Sequence, residues 1–387
     1  MTTPSTPLPR RSRRQALRAL GAALAGAAWG APVWPRARAS AGVPALQLLG
    51  HVSLPAGSRH AGVPIGGLSG LAWHAASDLW YALSDDRSRH APARCHVLRL
   101  APPVAGQASA PEWLDVITLR DERGQPFARH AVDPEALALR PGPAGGAPTL
   151  LWTSEGEVRN RVPPALFESA LDGRLLRRLP LPAALREVGR RGRGPLDNET
   201  LEGLALTPDG RHAWAAMESA LAQDADRLTP GAPPGPCRLT RFDLASGRAD
   251  RQVAYLPEAR PFGPLRPAGH APSGITEIVA LDDERLWVLE RAWTLATGVS
   301  ARLYEADLRG ASDTLTRERL RAGRFRPCAK RLLLDLRSAG LPHVDNLEAM
   351  AWGPPLADGR RTLVLCSDDN FNPLQQTQFI WFAAPPG

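Results

Sequence analysis

Lysine is almost absent from this chain. Lys330 is the only one in 387 residues, against a combined lysine and arginine count of 47. That bias reads as the coding habit of a G+C-rich genome, not as a collection of phosphate-binding sites. Cysteine is scarce too: Cys95, Cys237, Cys328 and Cys366 are the whole set, and no Cys-x-x-Cys pair occurs. A zinc ribbon or a dithiol redox motif is therefore unsupported. There is no His-Glu-x-x-His, no P-loop and no Gly-x-Ser-x-Gly elbow, since the nearest run, Gly66-Gly67-Leu68-Ser69-Gly70, has the wrong spacing. Sustained helical periodicity is missing throughout. No apolar run reaches the roughly 20 residues that a membrane-spanning helix needs.

The first 39 residues stand apart. They hold seven arginines (Arg10, Arg11, Arg13, Arg14, Arg18, Arg36 and Arg38) and no acid, so setting them aside lowers the formal charge from +8 to +1. Ser12-Arg13-Arg14-Gln15-Ala16-Leu17 opens a basic region, Ala19–Trp29 is small and apolar, and Ala37-Arg38-Ala39 reads as a cleavage site. The pattern resembles a twin-arginine export signal and predicts a periplasmic or secreted protein. Without those arginines no basic stripe with interleaved aromatics remains, which excludes a nucleic-acid partner. An oxidising compartment would permit disulfides, and four cysteines allow three pairings that the sequence does not separate.

What is present is a repeat. The copies are Ser69-Gly70-Leu71-Ala72-Trp73, Glu135-Ala136-Leu137-Ala138-Leu139, Glu202-Gly203-Leu204-Ala205-Leu206, Glu277-Ile278-Val279-Ala280-Leu281 and Glu348-Ala349-Met350-Ala351-Trp352, with first residues 66, 67, 75 and 71 positions apart. Each is followed by a second apolar run ending in an acid: Asp85, Glu155, Glu218, Glu290 and Asp368. Turn chemistry such as Thr207-Pro208-Asp209-Gly210 separates the two runs, so they read as buried antiparallel strands. A third run (238–243, 302–307, 378–382) and a fourth (113–117, 175–181, 252–256, 331–336) complete each unit.

Four antiparallel strands repeated radially make a β-propeller blade. The fifth unit ends after its third strand, and 46–54 supplies a spare strand to close the ring and cover the open edge. The expectation is an all-β, five-bladed propeller over 40–387, with 1–39 as signal peptide. Six blades is the alternative, if 221–270 hides a degenerate one.

This topology brings the start of strand one and the end of strand two to the same rim. Nine carboxylates are thus expected there: Glu135, Glu202, Glu277 and Glu348 with Asp85, Glu155, Glu218, Glu290 and Asp368. Such a ring needs backbone donors, arginines or a bound cation, and hard oxygen donors favour Ca²⁺. A carboxylate present in nearly every blade also reads as a strut that accepts hydrogen bonds from its neighbour. Function should show where the copies differ, as at Ser69 and in the loops after strand two. The histidines read as ordinary.

Several segments together resemble the phytase-like family, described as having esterase-like activity of phytase. They are Gly67-Leu68-Ser69-Gly70-Leu71-Ala72-Trp73 with Ser84-Asp85-Asp86-Arg87, Asp133-Pro134-Glu135-Ala136, Asn198-Glu199-Thr200-Leu201-Glu202-Gly203-Leu204, Ile275-Thr276-Glu277-Ile278, and Asp345-Asn346-Leu347-Glu348-Ala349-Met350 with Ser367-Asp368-Asp369-Asn370-Phe371. The resemblance implies an exported propeller with phosphoester or ester hydrolase activity.

The sequence reading is then a monomeric hydrolase of small anionic esters without a transmembrane segment. Asp85, Glu155, Glu202, Glu277, Glu348 and Asp368 are the expected metal ligands. Arg87, Arg159 and Arg291 orient the substrate as catalytic residues, and Asp86, Asn346 and Asn370 bind it. A non-catalytic binding propeller and a calcium-dependent lactonase are the alternatives.

Overall fold

Short apolar runs punctuated by glycine, proline and aspartate leave the backbone one economical solution, the antiparallel sheet. The computed structural model describes residues 46–142, 146–225, 234–258, 274–294 and 298–385. The expected signal peptide lies outside them. Chain order begins with β1 (Gln47–Ser53) and a small ribbon, β2 (Arg59–His60) with β3 (Val63–Pro64). Blade 1 is β4 (Leu68–His74), β5 (Leu79–Ser84), β6 (Arg94–Arg99) and β7 (Glu112–Thr118). Blade 2 is β8 (Pro134–Arg140), β9 (Thr149–Ser154), β10 (Ala165–Ser169) and β11 (Leu175–Leu179). Blade 3 is β12 (Leu201–Leu206), β13 (His212–Met217), β14 (Cys237–Asp243) and β15 (Arg248–Tyr255). Blade 4 is β16 (Gly274–Ala280), β17 (Arg285–Thr294), β18 (Gly298–Asp307) and β19 (Ala329–Asp335). Blade 5 is β20 (Asn346–Gly353), β21 (Thr362–Asp368) and β22 (Gln378–Ala383), with β1 as its fourth strand.

The innermost strands β4, β8, β12, β16 and β20 pack on one another in turn, and β20 returns to β4. The ring has five blades, not six. Within 221–270 the described residues supply β14 and β15 of blade 3 and no further sheet. Closure runs through β1, which pairs antiparallel with β22 from Gln47 opposite Ala383 to Ser53 opposite Gln378. The edge of blade 5 is thereby covered by chain from the other end of the domain.

Burial explains why the blades stay together. Five apolar clusters fill the five spaces between neighbouring blades, and each draws on the facing surfaces of two sheets. Trp80, Trp152, Trp214 and Trp381 are wholly enclosed in them. At about 25 cal/mol per Å² of apolar surface, side chains of this size make these seams the main source of cohesion. Helix is nearly absent among the described residues: one four-residue turn at Ala183–Arg186 and 3₁₀ turns at Val158–Asn160 and Leu336–Ser338. All four cysteines are buried, and none of the three pairings forms.

Candidate functional site

Each innermost strand carries a β-bulge near its start. The partner strand's register shifts between Leu68 and Gly70, Pro134 and Leu137, Leu201 and Gly203, Ile275 and Glu277, and Leu347 and Ala349. The extra residue of a bulge re-aims its side chain. Aligned this way, the bulge residues are Ser69, Glu135, Glu202, Thr276 and Glu348. One residue beyond the strand-two partner of the residue that precedes each bulge stand Asp85, Glu155, Glu218, Arg291 and Asp368.

Blade 4 is therefore one residue out of step with the repeat as read by its acids. Thr276, not Glu277, is the counterpart of Glu202, and Arg291, not Glu290, is the counterpart of Glu218. A matching contact supports this register. Ser69 Oγ donates to the carbonyl of Pro134 at 3.2 Å, and Thr276 Oγ1 donates to the carbonyl of Leu347, also at 3.2 Å.

Glu277 is accordingly not with the grouped acids. It is buried, and its Oε1 accepts the N–H groups of Leu204 (2.8 Å) and Ile278 (2.9 Å), tying blade 4 to blade 3. Burial pushes its carboxyl well up, against those two bonds. Glu290 also turns away from the mouth. It accepts from Tyr255 Oη and Lys330 Nζ, both at 2.5 Å, and the Lys330 ammonium lies over the rings of Tyr255 and Tyr304. The only lysine of the chain is a strut.

Eight carboxylates come together at the mouth in three groups: Asp85 with Glu348 and Asp368, Asp133 with Glu135 and Glu155, and Glu155 with Glu202 and Glu218. Within each group the ligand atoms lie within 4.8 Å of one another. Asp85 is half-buried and the other seven are buried. Two glycines clear space for them. A Cβ on Gly67, whose φ is +63°, would lie 2.0 Å from Asp85 Oδ1, and one on Gly274 would lie 2.6 Å from Glu218 Cγ.

Burial, reinforced by the like charges around them, holds Asp85, Glu135, Glu155, Glu202 and Asp368 well above the usual carboxylate range. Asp133 is pushed up to about 6 by burial, with Arg87 pulling the other way. Backbone donors relieve only part of this: Thr200 N–H reaches Glu155 Oε1 at 2.5 Å, and Asn370 N–H reaches Asp368 Oδ1 at 2.6 Å.

Two guanidiniums enter the ring. Arg87 pairs with Asp133 and donates to Asn198 Oδ1. Arg291 pairs with Glu348, donates to Asn346 Oδ1, and lies 3.7 Å from Glu218. Burial works against both charges, but the surrounding acids outweigh it and raise both above the ordinary arginine value.

The remaining expected residues divide. Asn346 belongs to the mouth, its Nδ2 donating to Glu348 Oε1 (3.0 Å) and Asp368 Oδ2 (3.2 Å). Asn370 has an exposed side chain beside it. Arg159 lies at the outer edge, largely exposed, bonded to Glu157 and near Asp197. Asp86 is fully engaged in its own loop, because it accepts Arg94 Nη1 at 2.7 Å and the N–H groups of Arg89, His90 and Ala91. Those bonds overcome burial and lower its pKa, so Asp86 organises the loop and has no capacity left for a substrate.

Sequence reasoning omitted Asp133 and left Glu135 and Glu218 out of the ligand set. A usable signal existed for the register of blade 4: the buried apolar residues three apart, Leu68/Leu71, Leu201/Leu204, Ile275/Ile278 and Leu347/Met350, align the copies where the acids mislead.

A family model described as "Phytase-like: Esterase-like activity of phytase" matches residues 63–371. No curated protein matches the chain. Among solved structures, a GH43 β-1,3-galactosidase with galactodeoxynojirimycin is 11% identical, covering 85% of this chain and 94% of that one, with a TM-score of 0.45. The catalytic domain of the Coprinopsis cinerea GH62 α-L-arabinofuranosidase is 9% identical, covering 88% and 98%, with a TM-score of 0.42. Kuenenia stuttgartiensis hydrazine synthase is 11% identical with a TM-score of 0.35, and the match covers 78% of this chain but 64% of that one. Likeness at this level carries no argument about chemistry.

Proposed function

The chain belongs to the phytase-like family, and from that premise we propose that it is an exported hydrolase of phosphate esters or related anionic esters, working with a hard divalent cation at the propeller mouth. The observation that carries this reading is the charge imbalance: eight clustered carboxylates face two guanidiniums. Like charges so close must share protons or take up a cation.

The donor set fits a hard ion. It is all oxygen, and the neighbouring Cys366 thiol is pushed well up by burial and by Asp368, so it offers no soft thiolate ligand. Ca²⁺ matches such a set best. Asp85, Glu348 and Asp368 would hold it on one side, and Glu155, Glu202 and Glu218 on the other. When bound, the ion supplies positive charge to polarise a phosphoryl or acyl oxygen. Arg87 and Arg159, on the side formed by blades 1 and 2, orient the anionic ester through their guanidinium forks. Asn370 borders the same opening. The Asp133 carboxylate holds Arg87 in place. Export through residues 1–39 completes the proposal.

The test uses protein recovered from the periplasm or medium, whose first residue should fall near Ser40. Metal analysis, phosphate release from aryl phosphates and opening of lactones are measured with and without chelator. Expected are bound Ca²⁺ and chelator-sensitive ester hydrolysis, lost in Glu202→Gln and Asp368→Asn but kept in Glu277→Gln, all three remaining folded. Metal binding without turnover of any ester would leave a ligand-binding propeller. Lactone opening without phosphate release would make the enzyme a lactonase.

A further inference from the structure

Four blades present a carboxylate one residue beyond the strand-two partner of the residue before the bulge, and one presents an arginine. Bulge register places Arg291 in the same column as Asp85, Glu155, Glu218 and Asp368. In the same blade the bulge residue is Thr276, so blade 4 gives the mouth no acid at all. Its guanidinium is mostly buried and sits between acids of the blades on either side, Glu218 of blade 3 and Glu348 of blade 5. Glu202 also contributes to holding its charge. Asn346 accepts from it as well.

We infer that Arg291 is a resident cation, standing in one inter-blade position for the divalent ion that the remaining acids take up, and so confining that ion to the other blades. The inference rests on the reading of the mouth as a cation site and adds which part of it is closed to metal. Three physical points support it. A buried guanidinium surrounded by carboxylates is stable only because they cancel its charge. The acid groups with ligand atoms in mutual reach, one shared by blades 5 and 1, one within blade 2 and one shared by blades 2 and 3, all leave out blade 4. The register of β17 against β16 sets Arg291 opposite Gly274, while Glu290, the next residue back, is already engaged by Lys330 and Tyr255 and leaves the acid position of this blade to Arg291.

The experiment compares wild type with Arg291→Met and Arg291→Lys, using Ca²⁺ titration calorimetry on chelator-stripped protein and melting with and without Ca²⁺. Arg291→Met should bind one more Ca²⁺ per chain than wild type, and Ca²⁺ should raise its melting temperature more than that of wild type. Arg291→Lys keeps a cation in place and should show wild-type stoichiometry. If Arg291→Met gains no ion, or is unfolded and not rescued by millimolar Ca²⁺, the inference is overturned. A gain in Arg291→Lys as well would also overturn it, since removal of charge would then not be the cause. Wild type binding no ion while Arg291→Met binds one would sink the cation-dependent hydrolase reading, and with it the confinement of that ion, but uphold Arg291 as the occupant of a cation position.

Discussion

A single glutamate can serve this fold in two ways, and one backbone position decides which. Glu277 and Glu202 both sit at the start of an innermost strand, yet Glu277 spends its Oε1 on two backbone N–H groups while Glu202 faces Glu155 and Glu218. Glu290 and Glu218 differ in the same way. The Glu290–Lys330 pair has side chains only 4% and 8% exposed, so removing one partner leaves a buried charge. Lys330→Met should therefore cost about 3–5 kcal/mol, whereas the double change Glu290→Met with Lys330→Met should recover much of it. Urea denaturation of the two variants decides the matter: equal losses would mean that the ion pair is not what stabilises the site.

At the scale of elements, the strand that closes the ring is the one most separated in sequence from its sheet. β1 covers the edge of β22, and the neighbouring Leu46 and Leu54 reach into the seams on either side of blade 5. A chain beginning after residue 56 should lose the cover of that edge and the seam contacts together. Its melting should become broad, with aggregation, and limited proteolysis should cut first in blade 5. Retention of a sharp wild-type melt would show that four-and-a-fraction blades close without β1. The same scale explains the bulges, which turn one residue per innermost strand toward the mouth at the expense of one ladder pairing.

For the molecule as a whole, the concentration of acids at one mouth makes stability depend on pH and on cation together. Asp85, Glu135, Glu155, Glu202 and Asp368 hold their protons to higher pH in the fold than an ordinary carboxyl does, and Asp133 does so to about 6. Their contribution to stability is complete below about pH 4, where unfolded carboxyls are protonated too, and it is lost as pH rises through the raised folded values. The chelated protein should thus melt at falling temperature between about pH 5 and pH 8, and the stabilisation given by Ca²⁺ should grow over the same range. A chelated melting temperature that climbs with pH would contradict the picture of strained, proton-sharing acids.

The amino-acid sequence by itself determined the period, the strands and the ring closure, because alternating burial and turn chemistry are local and repeat in every blade. It also determined most of the mouth, since Asp85, Glu155, Glu202, Glu348 and Asp368 follow a spacing that the strands enforce. Only the tertiary structure decided the part played by blade 4. A side chain's face depends on pairing register, and a shift of one residue in a strand reverses it. Glu277 and Glu290 match the acids of the other blades in type and approximate spacing, yet the register turns both away and gives their place to Thr276 and Arg291. Asp133 joins the acids from just before β8: Glu155 N–H donates to the Asp133 carbonyl at 2.9 Å, the link that Asp85 makes to Gly67 and Glu218 to Thr200, but only in blade 2 does an acid stand at that position.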